Sequence, residues 1–71
     1  MAEWIPVASS HIEAIAFDEA DGVLGVRFTD GSEYEYDDFD AEQFDSFMRA
    51  PSKGAYFRDE IRGVYDHRRL K

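Results

Sequence analysis

The sequence predicts a small α+β domain, a three-stranded antiparallel meander with two C-terminal helices packed on one face. Over three short segments of the first half, apolar and polar residues alternate, which is the pattern of half-buried strands. Glycine-containing turns separate these segments. In the second half, apolar residues recur three and four positions apart, which is the period of an amphipathic helix.

The strands are predicted over Ile12–Asp18, Val23–Phe28 and Ser32–Asp37, with Gly22 in the first turn. Such a glycine is free to take the left-handed conformation that turns often need. Alternation gives the meander one apolar face, which consists of Ile15, Phe17, Leu24, Val26, Phe28, Tyr34 and Tyr36. The two helices are expected to cover this face.

The alternation of side chains between the two faces of the sheet decides the length of the second turn. A two-residue loop would place apolar residues opposite acidic ones and mix the two faces of the sheet. A three-residue loop over 29–31 places Val26 opposite Tyr34 and Leu24 opposite Tyr36, with the glycine of the loop in the left-handed conformation. We therefore predict the three-residue loop.

The first helix has a complete start signal. Asp40 is predicted as its N-cap, with Gln43 closing a capping box and Phe39 packing on Phe44. Pro51 disfavours a helical conformation at the residue before it, so the helix ends there.

Ser52 is predicted to cap the second helix, whose apolar face consists of Phe57, Ile61, Val64 and Tyr65. Gly63 weakens its last turn by about 1 kcal/mol relative to alanine. If the helix persists, Arg58, Arg62 and Arg69 lie within about 40° of one another.

Charge is unevenly distributed along the chain. Its 71 residues include 16 acidic and 8 basic side chains, for a net charge of −8. Residues 1–48 hold thirteen acids and one base, whereas residues 49–71 hold seven bases and three acids. The chain has no cysteine and no apolar run near the roughly 20 residues of a membrane span. We expect a soluble, cytoplasmic, monomeric protein.

Several motifs together resemble a known family. The pair Tyr34-x-Tyr36 precedes the segment Ser52-Lys53-Gly54-x-Tyr56-Phe57, and both follow the predicted first two strands. This order resembles the KTSC domain, which occurs at the C-terminus of some lysyl-tRNA synthetases and as stand-alone proteins.

The resemblance covers Ser9 to Arg68. It implies an N-terminal extension at 1–8, one domain at 9–68 and a basic tail at 69–71. Phe17 departs from a common tyrosine and Asp40 from an expected proline. The family has no established function, and its synthetase context implies an RNA partner.

Two candidate elements concern aromatic and anion contacts. Tyr34 and Tyr36 project side by side from one strand, as in platforms on which bases stack; the alternative is that both belong to the core. Ser52, Lys53 and Gly54 begin a helix, where free N–H groups favour an anion; the alternative is an ordinary cap with a surface lysine.

A third candidate is the second helix itself, with Arg58, Arg62 and Tyr65 as nucleic-acid-binding residues. Together with other bases of the C-terminal third, they would form one basic side, the footprint of nucleic-acid binding. These further bases are Arg49, Lys53, Arg68 and Arg69. The alternative is that the earlier acids of the chain pair with them.

The sequence lacks signals for a metal, a cofactor or catalysis. Glu33, Glu35 and Asp37 alternate onto the solvated face of the sheet. His11 and His67 have no metal-ligand spacing, and Ser9-Ser10-His11 is interpreted as the entrance to a strand. A chain of 8.2 kDa is also expected to be too small for a pocket of roughly 300–1,000 Å³.

We therefore predict a small non-enzymatic binding module that binds tRNA-like RNA through its basic C-terminal helix. The alternative is a protein-interaction or adaptor domain that self-associates by pairing its acidic sheet with its basic helix. A third hypothesis is an acidic mimic of nucleic acid that captures basic proteins.

Overall fold

The structure is a computed structural model that describes residues 3–71. A five-stranded antiparallel sheet forms its centre, in the order β1-β2-β3-β4-β5. The strands are β1 (Ile5–Pro6), β2 (Ile12–Asp18), β3 (Val23–Phe28), β4 (Glu33–Tyr36) and β5 (His67–Arg69). Helix α1 (Ala41–Arg49) follows β4, and helix α2 (Lys53–Tyr56) continues directly into a π-helical turn (Phe57–Ile61).

The central strands confirm the predicted meander and its register. Val26 lies opposite Tyr34 and Leu24 opposite Tyr36, as the three-residue loop requires. Gly31 has a φ of 92°, a conformation in which a side chain would be strained. The alternation of apolar residues was therefore enough to predict the length of the loop.

The prediction of three strands is incomplete, because β5 adds to the free edge of β4. Its residues show no apolar alternation, and all three are exposed. The pairing instead satisfies backbone groups of an edge strand: Leu70 N–H donates to the Glu33 carbonyl at 2.7 Å, and Asp37 N–H donates to the Asp66 carbonyl at 2.9 Å. Arg69, predicted in the basic tail, thus belongs to the sheet.

The other additional strand, β1, lies within the segment predicted as an N-terminal extension, of which Met1 and Ala2 are outside the described residues. Ile5 pairs with Ile15, and the preceding Trp4 covers the second face of the sheet. A Cβ atom at Gly25 would lie 3.2 Å from Trp4 Cη2, so the indole packs directly on this glycine. The Arg27 guanidinium lies 4.4 Å from the centre of the indole ring.

The second helix is shorter than predicted. The π-helical turn ends at Ile61, where Arg62 N–H donates to the Phe57 carbonyl at 2.8 Å. The helical path ends at Arg62, whose ψ is 123°. Gly63 then takes a φ of 77°, and Val64 is 65% exposed. The predicted helical face of Arg58, Arg62 and Arg69 is therefore wrong, since Arg69 lies on β5.

The predicted N-cap of α1 and its predicted end before Pro51 are confirmed. Asp40 Oδ1 accepts a hydrogen bond from Gln43 N–H at 2.8 Å, and α1 ends at Ala50, whose ψ is 134°. The predicted neighbours Phe39 and Phe44 both contact Phe17, with ring centres 6.1 and 4.8 Å away. This aromatic group holds α1 on the sheet.

The core lies between the sheet and the helical segments. Its buried members are Ile12, Ile15, Leu24, Val26, Tyr36, Phe39, Phe47, Phe57 and Ile61. Phe17, Phe28 and Tyr34, the other members of the predicted apolar face, are partly buried against this cluster. The face predicted from alternation is thus the face that the helices cover.

The burial of Ile61 leads to a stability prediction. Ile61→Val should lower the free energy of unfolding by about 1 kcal/mol, because Ile61 has no exposed surface and the change leaves a small cavity. The control Val64→Ala removes carbons that already contact water, so its effect should stay within about 0.5 kcal/mol. Urea unfolding followed by circular dichroism measures both; equal losses would contradict the difference in burial.

Candidate functional site

A groove runs along one side of the domain, between the residues that lead into β2 and the start of α2. Its volume is about 610 Å³, which contradicts the expectation that so small a chain lacks such a pocket. The space lies open at the surface between two chain segments, so it needs no enlarged core. Its lining residues include Ser9, Ser10, His11, Phe28, Ser52, Lys53, Gly54, Phe57, Arg58 and Arg62.

The groove brings together five of the residues predicted from the sequence: Ser52, Lys53, Gly54, Arg58 and Arg62. Ser52 is a helix cap, since its Oγ accepts from Ala55 N–H at 3.2 Å. Lys53 Nζ donates to the Ala50 carbonyl at 2.8 Å. That bond holds the ammonium beside the groove and leaves it with further donors for a ligand.

The β2 entrance lies beside Gly54 of α2 at ordinary van der Waals distance. A Cβ atom at this position would lie 3.7 Å from Ser9 Oγ and 4.0 Å from His11 Cδ2. Ser9 Oγ accepts from the backbone N–H groups of His11 at 3.3 Å and Ile12 at 3.2 Å. The segment is thus the strand entrance that the sequence indicated, and it is also one wall of the groove.

The two arginines of the groove differ in their partners. Arg58 Nε lies 3.0 Å from Asp59 Oδ1, and this carboxylate raises the pKa of the guanidinium. Within residues 3–71, Lys53 and Arg62 have no carboxylate within 4 Å. These two cations carry the uncompensated charge of the groove.

A second cavity of about 370 Å³, which we call the aromatic hollow, shares Phe28, Phe57 and Arg62 with the groove. Its other lining residues are Asp30, Ser32, Tyr34, Tyr36, Gly63 and His67. Tyr36 is only 4% exposed and belongs to the core, whereas Tyr34 is half-buried. Both tyrosines therefore border the cavity that contains Arg62, but Tyr34 has the more accessible ring.

Tyr65 lies apart from the other predicted site residues. Its ring packs against Phe39 at 5.1 Å, and it lines neither the groove nor the aromatic hollow. It joins the core as its helical spacing from Ile61 indicated.

The remaining bases do not extend the groove into one continuous basic side. Arg68, on β5, forms ion pairs with Glu35 at 2.6 Å and Asp37 at 2.8 Å. Arg49 pairs with Asp45 at 3.1 Å. Internal pairing, the alternative stated from the sequence, therefore describes Arg68, Arg49 and Arg58, whereas Lys53 and Arg62 in the groove form no ion pair within residues 3–71.

Sequence reasoning missed His11, Ser9 and His67 as lining residues. His11 reaches the groove through the close approach at Gly54, and His67 reaches the aromatic hollow through the pairing of β5 with β4. Neither contact could be predicted from the spacing of residues along the chain, because each joins segments that are distant in sequence.

Other kinds of site are not indicated in the described part of the chain. Residues 3–71 contain no group of three or more histidine, aspartate or glutamate side chains arranged to hold a metal ion. Among the same residues, no helix has the length and apolar character to cross a bilayer.

Comparisons with known proteins agree with the architecture. The model of the KTSC domain family matches residues 8–65, so this chain belongs to that family. A protein of Tsukamurella paurometabola is 43% identical over 51 residues, covering 72% of this chain and 76% of that protein. The crystal structure of a KTSC domain protein from Yersinia pestis matches with a TM-score of 0.94 at 30% identity, covering all of both chains.

The burial of Tyr36 leads to a prediction about alkaline stability. Burial raises the pKa of Tyr36 from 10.0 to about 12; Tyr34 adds to the increase and Arg62 opposes it. The folded state therefore holds this proton more tightly than the unfolded state. The resulting stabilisation is complete below about pH 10 and is lost as the pH rises from about 10 to about 12.

Urea unfolding at a series of pH values should show this loss, and Tyr36→Phe should reduce it because the variant has no phenol proton at that position. Tyr34→Phe should reduce the loss less, because it removes only the smaller contribution of Tyr34 to the raised pKa of Tyr36. An unchanged alkaline decline in Tyr36→Phe would contradict the assignment.

Proposed function

We propose that this domain is a non-enzymatic RNA-binding module and that RNA phosphates lie in the groove. One observation carries the proposal. In a chain with a net charge of −8, the residues among 3–71 that line the groove include Lys53, Arg58 and Arg62 and no carboxylate. A cleft lined by one sign of charge concentrates ligands of the opposite sign.

The arrangement of donors suits phosphate. Arg62 offers a planar, bidentate guanidinium and Lys53 a compact ammonium, the two groups that dominate backbone contacts to nucleic acid. Ser10 and His11 border the same groove and are exposed, so they add polar groups at its rim. The lysyl-tRNA synthetase context of the family, noted with the resemblance above, supports RNA as the anion.

The overall charge limits how this binding works. Sixteen acidic side chains against eight basic ones repel a polyanion from the domain as a whole, so binding is confined to a local basic site. Two phosphate contacts, from Lys53 and Arg62, correspond to a slope of log K against log salt of about −1.4 for a single strand. Affinity should then fall about sevenfold between about 50 and 200 mM salt.

The rival hypothesis of self-association through opposite charges has less support. It requires an acidic sheet surface free to meet the basic residues of another copy. Glu35 and Asp37 already pair with Arg68, and Glu33 pairs with Arg27 at 2.8 Å. These contacts partly neutralise the carboxylates that the second copy would have to bind.

A charge-reversal pair tests the proposal. Arg62→Glu should weaken binding of fluorescein-labelled tRNA at least tenfold at low salt and reduce the salt slope by about 0.7, since one phosphate contact is lost. The control Arg49→Glu makes the same change in net charge at a residue that does not line the groove. The affinity of this variant for the RNA should stay within about threefold of that of the unmodified protein.

Fluorescence anisotropy at about 50 and 200 mM salt measures both effects. Circular dichroism establishes that each variant is folded. The proposal fails if the unmodified protein binds no RNA at low salt, or if the two variants lose affinity equally.

A further inference from the structure

We propose that the RNA is single-stranded at this site and that one unstacked base occupies the aromatic hollow while its neighbouring phosphates lie in the groove. This inference rests on the proposed function and adds the form of RNA and a second contact. It depends on the position of Arg62, which lines both cavities together with Phe28 and Phe57. A ligand that fills both must pass this arginine.

The aromatic hollow has the side chains of a base-stacking site. The His67 ring stacks on Tyr36, with centres 5.6 Å apart and planes 30° from parallel, and His67 is exposed. The half-buried Tyr34 lies beside it, with ring centres 6.0 Å apart. Tyrosine and histidine rings are surfaces on which single-stranded bases stack.

The positions of these rings are fixed by the sheet. Tyr36 lies opposite His67 and Tyr34 opposite Arg69 in the pairing of β4 with β5. Phe28 meets the Tyr34 ring edge-on at 5.8 Å, and the Arg69 guanidinium lies 5.8 Å from the Tyr34 ring centre. A preformed site of this kind loses little entropy when it binds.

The polar groups of the two cavities suit different parts of a nucleotide. Asp30 lines the aromatic hollow, and its Oδ1 accepts from Ser32 Oγ at 2.6 Å and from Ser32 N–H at 2.9 Å. A carboxylate repels phosphate and accepts hydrogen bonds from the N–H groups of bases. The groove, which has no carboxylate in its lining, suits the phosphates.

A duplex does not satisfy this arrangement. Its bases are paired and stacked inside the helix, so none is free to enter a hollow beside the bound backbone. In a single strand the bases are unpaired and free to turn away from one another. One base therefore reaches the aromatic hollow while the backbone stays in the groove. Arg62, which lines both cavities, then contacts the phosphate that joins this base to the nucleotides in the groove.

The test compares two RNAs and two aromatic variants by fluorescence anisotropy. An unstructured RNA of about ten nucleotides, within the site sizes of small single-strand binders, should bind the full chain at least tenfold more tightly than the same RNA annealed to its complement. Tyr34→Leu should lose five- to tenfold in affinity for the single strand. Its salt slope should not change, because no phosphate contact is removed.

Trp4→Leu is the matched control. Trp4 is also a half-buried aromatic residue, but it packs against Gly25 on the second face of the sheet, so its variant should bind as the unmodified protein does. Tyr34→Phe keeps the ring and should also bind normally. Contacts between RNA base protons and the Tyr34 or His67 ring protons, measured as nuclear Overhauser effects in the unmodified complex, do not depend on any variant folding.

The outcomes distinguish this inference from the proposed function. If Arg62→Glu abolishes binding while Tyr34→Leu binds normally, or if the duplex binds as tightly as the single strand, RNA binding stands and the base contact is overturned. If neither RNA binds at low salt, both fail. The inference is supported if Tyr34→Leu weakens binding of the single strand while Trp4→Leu and Tyr34→Phe do not, and if contacts between base protons and ring protons are observed.

Discussion

The packing of Phe57 and Ile61 on the sheet is the contact on which the candidate site depends. The Phe57 ring lies 5.3 Å from Phe28 and 5.5 Å from Tyr36, and Ile61 has no exposed surface. These two side chains hold the helical segment against the core. Arg58 and Arg62, each one residue further along the chain, are consequently exposed at the groove.

The distribution of ion pairs matters more for function than the net charge. Arg68 and Arg27 each bridge two carboxylates across neighbouring strands, so the acidic side of the sheet is partly neutralised from within. Surface pairs of this kind contribute little to stability. Among the bases of residues 3–71 that form no such ion pair, Lys53 and Arg62 lie together at the groove and give the acidic domain a local site for anions.

The end of the helical segment determines what that site contains. A π-helical turn, a form that is frequent at functional sites, brings the Arg62 N–H to the Phe57 carbonyl. The left-handed Gly63 then turns the chain toward the edge of β4. The same two features leave Arg62 between the groove and the aromatic hollow and bring His67 against Tyr36.

The sequence by itself determined the meander, its register and the caps of the helices, because alternation, loop parity and capping side chains act between residues that are close along the chain. Five residues of the groove were also predicted from it, since they lie in one short segment. Only the tertiary structure decided that β1 and β5 join the sheet and that His11 faces Gly54. Edge pairing through backbone hydrogen bonds and contacts between distant segments leave no periodic pattern in side chains. The groove exists because distant segments meet, and the aromatic hollow is completed by the pairing of β5 with β4.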